Sequence, residues 1–82
     1  MKATVLVRPK EGILDPQGEA VERSLRHLGF TVGDARVGKV IDLEVEASSV
    51  SEARAQVGRM CERLLANPLI ESYDIELEED GS

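Results

Sequence analysis

Few side chains in this 82-residue sequence are able to do covalent chemistry. The one histidine, His27, falls on a helical stretch between Arg26 and Leu28-Gly29, and that setting predicts a solvent-facing or helix-end role. The one cysteine, Cys61, stands on a second helical stretch at a position that predicts a buried thiol. Standing alone, it forms neither an intrachain disulfide nor a multi-cysteine metal site. Nucleophilic catalysis needs a nucleophile beside a base, and acid-base catalysis needs paired groups whose pKa values are driven apart. The sequence offers no such constellation. Carboxylates are numerous, but Asp42, Glu44 and Glu46, like Asp74, Glu76 and Glu78, alternate along extended stretches. Ligands of a hard cation converge from a loop instead, so these rows predict an acidic sheet face.

The elements that position these groups follow from periodicity. Lys2 to Arg8 alternates Ala3, Val5 and Val7 against Lys2, Thr4, Leu6 and Arg8, the two-residue period of a strand. Pro9 to Leu14, with Pro9 and Gly12, reads as a loop. Asp15 is placed to cap a helix and Pro16 to occupy its first position, where a missing N–H costs nothing. Ala20, Val21, Ser24, Leu25 and Leu28 then share one helical face, and Gly29 ends the helix. Phe30 to Val37 predicts a second strand, with a bulge at Gly33 to reconcile Val32 with Ala35 and Val37. Gly38-Lys39 suits a two-residue hairpin turn into a third strand, Val40 to Ala47, in which Ile41, Leu43 and Val45 oppose Asp42, Glu44 and Glu46. Ser49 and Glu52 form a capping box for a second helix that runs to about Ala66. Asn67-Pro68 stops it, with Asn67 expected in the left-handed region. Ile70 to Glu78 gives a fourth strand, and residues 79–82 an acidic tail expected to fray.

The order β-α-β-β-α-β in one domain over residues 1–82 predicts an α+β, ferredoxin-like fold. Right-handed crossovers give a four-stranded antiparallel sheet in the order fourth, first, third, second, with both helices on one face. Thr4, Leu6, Arg8 and the acidic rows line the other face, a mixture suited to a polar protein contact.

Composition narrows the partners. Sixteen acidic against ten basic residues, a net charge of -6, oppose the electrostatic attraction on which nucleic-acid binding depends. No apolar stretch approaches the roughly 20 residues of a membrane span, so no membrane partner and a cytoplasmic location are expected. With 41% hydrophobic but only 2% aromatic residues, the core is aliphatic and small, and a homodimer or higher homo-oligomer is expected. An RNA-recognition module of this topology would carry aromatics on its central strands; here those positions are aliphatic or acidic. A copper-chaperone relative would need a second cysteine. A small-molecule-binding regulatory domain of ferredoxin-like fold stays open as an alternative.

Two stretches go further than topology. The run Val5-Leu6-Val7-Arg8-Pro9-Lys10-Glu11-Gly12-Ile13-Leu14-Asp15-Pro16-Gln17-Gly18, together with Val37-Gly38-Lys39, resembles the PurS subunit of formylglycinamide ribonucleotide amidotransferase (phosphoribosylformylglycinamidine synthase). The resemblance extends over nearly the whole chain. It implies a non-catalytic assembly subunit in purine biosynthesis, bridging a glutaminase subunit and a large ATP-dependent synthetase subunit and supporting ammonia transfer between them. It implies no cofactor on this chain, with ATP and Mg used by the complex. It also implies partner contacts at Lys10, Asp15, Pro16, Gln17 and Gly18 in the loop and helix start and at Gly38 and Lys39, with Arg8 and Arg36 beside them. Cap, helix start and turn already account for Asp15, Pro16 and Gly38 as structural residues, whereas Lys10 and Gln17 are free to meet a partner.

Overall fold

The computed structural model describes residues 1–79. Residues 80–82, most of the expected acidic tail, lie outside the described residues. Strand β1 (Lys2–Pro9) leads through a loop to helix α1 (Pro16–His27). A long segment without regular structure follows, then β2 (Lys39–Glu44), helix α2 (Val50–Met60) and β3 (Glu71–Glu78). The chain leaves α2 through a π-helical turn, Cys61–Leu65, in which the Ala66 N–H donates to the Cys61 carbonyl five residues back at 3.0 Å.

The sheet has three strands in the order β2-β1-β3, both pairs antiparallel. This corrects the expected four-stranded ferredoxin-like sheet: residues 30–37 form no strand. Gly33 interrupts that stretch, Gly29 and Gly38 flank it, and its apolar residues do not keep one phase. Side chains bond two of its backbone groups where a strand would use a ladder. Arg26 donates to the Val32 carbonyl at 3.0 Å, and the Val37 N–H donates to Asp15 at 2.8 Å. With no second strand there is no hairpin at Gly38-Lys39 and no bulge at Gly33.

The register of β1 with its neighbours explains the sheet's two faces. Ala3, Val5 and Val7 are buried and stand opposite Leu43 and Ile41 on β2 and Leu77, Ile75 and Tyr73 on β3. With Val45, Val57, Cys61 and Ala66 they form the core. Fully burying an aliphatic side chain of this size contributes about 1.5–3 kcal/mol, so this aliphatic cluster is the main source of stability. On the opposite face Lys2 lies between Glu44 and Glu78, and Thr4 between Asp42 and Glu76.

No α1 residue belongs to the core, and α1 has no extensive contact with another element. The helix is an arm, and the molecule measures 50 × 29 × 14 Å. Its radius of gyration is 16.1 Å, where a compact domain of this length has about 12 Å. Both helices packed on one sheet face, as the sequence predicts, would give the smaller value. The arm leaves Val21, Leu28 and Phe30 with 42%, 72% and 60% of their surfaces exposed.

Helix ends follow local chemistry. The Asp15 side chain caps α1, and Gly29 ends it at φ +97°. Ser49 caps α2 by accepting the Glu52 N–H at 3.1 Å. The Glu52 carboxylate reaches back to the N–H and hydroxyl of Ser48, one residue earlier than a strict capping box. Asn67 is not left-handed, since no residue other than glycine has positive φ among those described. Asn67 acts through its side chain, whose Oδ1 accepts the Leu69 N–H at 3.1 Å, while its own N–H donates to Glu71 at 2.7 Å.

Candidate functional site

Most residues singled out by the sequence gather where β1 ends, α1 begins and β2 begins. Asp15 holds this corner together. Its Oδ1 accepts the Gly18 N–H at 3.0 Å, and its Oδ2 accepts the Val37 N–H at 2.8 Å. These two bonds, Val37 first, hold the Asp15 carboxyl below the usual aspartate pKa, and the nearby Arg36 guanidinium adds to the effect. Arg36 donates to the Lys10 carbonyl at 2.7 Å and to the Ile13 carbonyl at 3.4 Å, so it folds the loop back onto the segment before β2. The Lys10 N–H donates to the Ile70 carbonyl at 2.9 Å and joins the same loop to the entry of β3.

Two glycines make the close approaches possible. A Cβ on Gly18 would lie 2.1 Å from the Ala35 carbonyl oxygen, and one on Gly38 would lie 2.2 Å from that of Val7. Gly18, Gly38, Asp15 and Arg36 are therefore built into the corner, and Pro16 is the first residue of α1. Lys10, Gln17 and Lys39 are exposed around it, as is Arg8, whose guanidinium lies 3.4 Å from Asp74. The sequence signal found these positions. It did not show that Asp15 bonds across 22 residues to Val37, because a helix cap looks the same with or without a second acceptor role.

Two clefts flank β1. At the corner, Leu6, Arg8, Pro9, Arg36, Lys39 and Val40 are among the residues lining a cleft of about 350 Å³. At the other end of the strand, Lys2, Thr4, Asp42, Glu44, Glu76 and Glu78 line a cavity of about 730 Å³. The Thr4 hydroxyl donates to Asp42 at 3.0 Å. Among the described residues no group of three or more His, Cys, Asp and Glu side chains is placed to hold a metal ion. The strand-borne carboxylates do not fit magnesium, which needs its oxygen ligands brought to one point.

The reactive side chains lie apart from both clefts. Cys61 is fully buried in the core, and desolvation followed by the charge of Glu62 pushes its thiol pKa up. His27 is exposed at the end of α1 near Arg23 and Arg26. Tyr73 donates its hydroxyl to Glu62 at 2.9 Å, a bond that raises its pKa and ties β3 to the π-helical turn. One exposed surface departs from the pattern of the sequence. Periodicity predicts the apolar face of α1 as core, but Val21 and Leu28 are exposed and no α1 residue belongs to the core. No helix among the described residues is long and apolar enough to cross a membrane.

Comparison with known proteins gives a consistent result. The model of the family PurS, described as phosphoribosylformylglycinamidine (FGAM) synthase, matches residues 2–79. The chain is 40% identical over 78 residues to the phosphoribosylformylglycinamidine synthase subunit PurS of Methanocaldococcus jannaschii, an alignment that covers 94% of each chain. It superposes on the structure of Bacillus subtilis PurS with a TM-score of 0.86 at 44% identity, covering 95% of this chain and 98% of that one. A chain in the structure of PurLQS from Thermotoga maritima gives a TM-score of 0.82 at 41% identity, with 92% and 93% covered.

Proposed function

The chain belongs to the PurS family and is a subunit of the FGAM synthase complex of purine biosynthesis; we propose that within this complex it is a non-catalytic bridge between a glutaminase subunit and an ATP-dependent synthetase subunit. The observation that carries this reading is the match over residues 2–79 together with the likeness to a chain of PurLQS. The shape supports it as well. An elongated molecule with an uncovered apolar helix and a tied polar corner has surfaces on several sides to offer.

The physical need for such a bridge is retention of ammonia. Ammonia released into bulk water is diluted and protonated, whereas two active sites clamped together with water excluded deliver it at high effective concentration. This chain supplies docking surface, and ATP and magnesium belong to the synthetase partner. The partner contacts are carried by the exposed residues of the corner, Lys10, Gln17, Arg8 and Lys39. Asp15, Pro16, Gly18, Arg36 and Gly38 give that corner its shape. The apolar face of α1 is covered by a second copy of the chain, as a homodimer or higher homo-oligomer, in a reducing cytoplasm that leaves Cys61 a free thiol.

The deciding experiment compares FGAM synthesis by purified synthetase and glutaminase with and without this chain. Glutamine-dependent synthesis is expected to require it, and synthesis from high ammonia to need it far less. Equal use of glutamine in its absence would end the proposal.

A further inference from the structure

The cleft at the corner, where β1 ends and β2 begins, is lined by three cations, Arg8, Arg36 and Lys39, and by no carboxylate. Leu6, Pro9 and Val40 give it an apolar wall, with Val40 61% exposed. In a chain whose acidic residues outnumber its basic ones by 16 to 10, this grouping runs against composition. The cavity at the other end of β1 has the opposite sign, with Asp42, Glu44, Glu76 and Glu78 around the single cation Lys2.

The three cations are also available. Arg36 is fixed by two neutral carbonyl acceptors, which orient its guanidinium without cancelling its charge, and the carboxylate it acts on is Asp15. Arg8 meets Asp74 at 3.4 Å, but the two side chains are 63% and 71% exposed, and pairs that exposed are weak and exchange readily with other partners. The Lys39 side chain has no hydrogen-bond or charge partner among the described residues.

We propose that this cleft receives an acidic surface segment of a partner subunit, with its carboxylates among Arg8, Arg36 and Lys39 and an aliphatic side chain against Leu6 and Val40. The proposal rests on the bridging role above and names the chemistry of one contact within it. A guanidinium held in advance presents its charge and its remaining N–H groups to a carboxylate with little further ordering.

The test is assembly of the full chain with the purified glutaminase and synthetase subunits, followed by calorimetry at low and moderate salt. Lys39→Glu and Arg8→Glu are compared with Glu76→Lys at the opposite end of the face. Lys39→Glu and Arg8→Glu are expected to weaken binding to one subunit by about tenfold or more, with wild-type melting temperatures and a shallower salt dependence, while Glu76→Lys binds as wild type. Binding within about twofold of wild type in both cleft variants, or an equal loss in Glu76→Lys, overturns the proposal. So does saturable binding of pyrophosphate in the cleft without any partner, since the occupant would then be a small anion. A wild-type chain that binds neither subunit is a separate result, which removes the bridging role and this contact with it.

Discussion

The Asp15 carboxylate joins the first turn of α1 to the backbone of Val37, accepting the Gly18 N–H with one oxygen and the Val37 N–H, 22 residues away, with the other. A single side chain thus fixes where the arm helix starts relative to the strand that follows it. Replacing Asp15 with Ala leaves both N–H groups without their acceptor. It is expected to lower the melting temperature by several degrees and to speed hydrogen exchange at the Val37 amide. Asp15→Asn keeps one acceptor oxygen and should fall between Ala and wild type. Circular dichroism melts and amide exchange check both outcomes, and unchanged exchange at Val37 would show that the bond contributes nothing.

The same carboxylate sets an acid limb. Its pKa is lowered in the folded chain, first by the Val37 N–H and then by the Gly18 N–H. A group with a depressed folded pKa stabilises the protein above its unfolded value, roughly 3.9 for aspartate, and that contribution is lost as pH falls through the folded value. Glu52, whose pKa is lowered by the Ser48 hydroxyl and N–H, acts in the same direction at the start of α2. Asp15→Asn is therefore expected to flatten the decline in stability below about pH 4, with little change in slope near neutrality. Urea melts at a series of pH values read this slope, and parallel wild-type and variant curves would refute it.

Glycine substitutions separate positions that need the missing side chain from those that do not. Gly18→Ala and Gly38→Ala place a Cβ against backbone oxygens at 2.1 and 2.2 Å, contacts that force the backbone to move. Each is expected to cost about 1–3 kcal/mol. Gly58, inside α2, has nothing within 4 Å of its would-be Cβ, and Gly58→Ala should stabilise by about 0.5–1 kcal/mol from helix propensity and unfolded-state entropy. Chemical denaturation of the three variants gives the signs directly.

How much of this was legible in the sequence depended on whether the cause was local. The α1 start at Asp15-Pro16, its end at Gly29 and the alternation of β1 and β3 rest on adjacent residues, and the structure has them in place. The stretch 30–37 predicts a strand because Val32, Ala35 and Val37 look like strand residues. In the folded chain Asp15, 22 residues away, accepts the Val37 N–H, and Arg26, six residues away, donates to the Val32 carbonyl, bonds that the residues of the stretch itself do not announce. The cleft between Arg8, Arg36 and Lys39 was half legible. The sequence supplied the residues, and only the fold showed that no carboxylate stands among them.

The arm gives the last prediction. An amphipathic helix is normally stabilised by packing its apolar face, since short isolated helices are marginal in water. Yet Val21, Leu28 and Phe30 are exposed, and no α1 residue belongs to the core of its own chain. A second copy presenting the same face would bury these side chains symmetrically, as a two-fold interface requires. Leu28→Glu and Phe30→Glu should then shift the mass measured by light scattering from dimer or higher toward monomer, with the strand signal of the sheet retained because β1, β2, β3 and α2 form the core without α1. A variant that keeps the wild-type mass would place the self-contact elsewhere. One that unfolds entirely would show that the arm, although it supplies no core residue, is needed for the sheet to form.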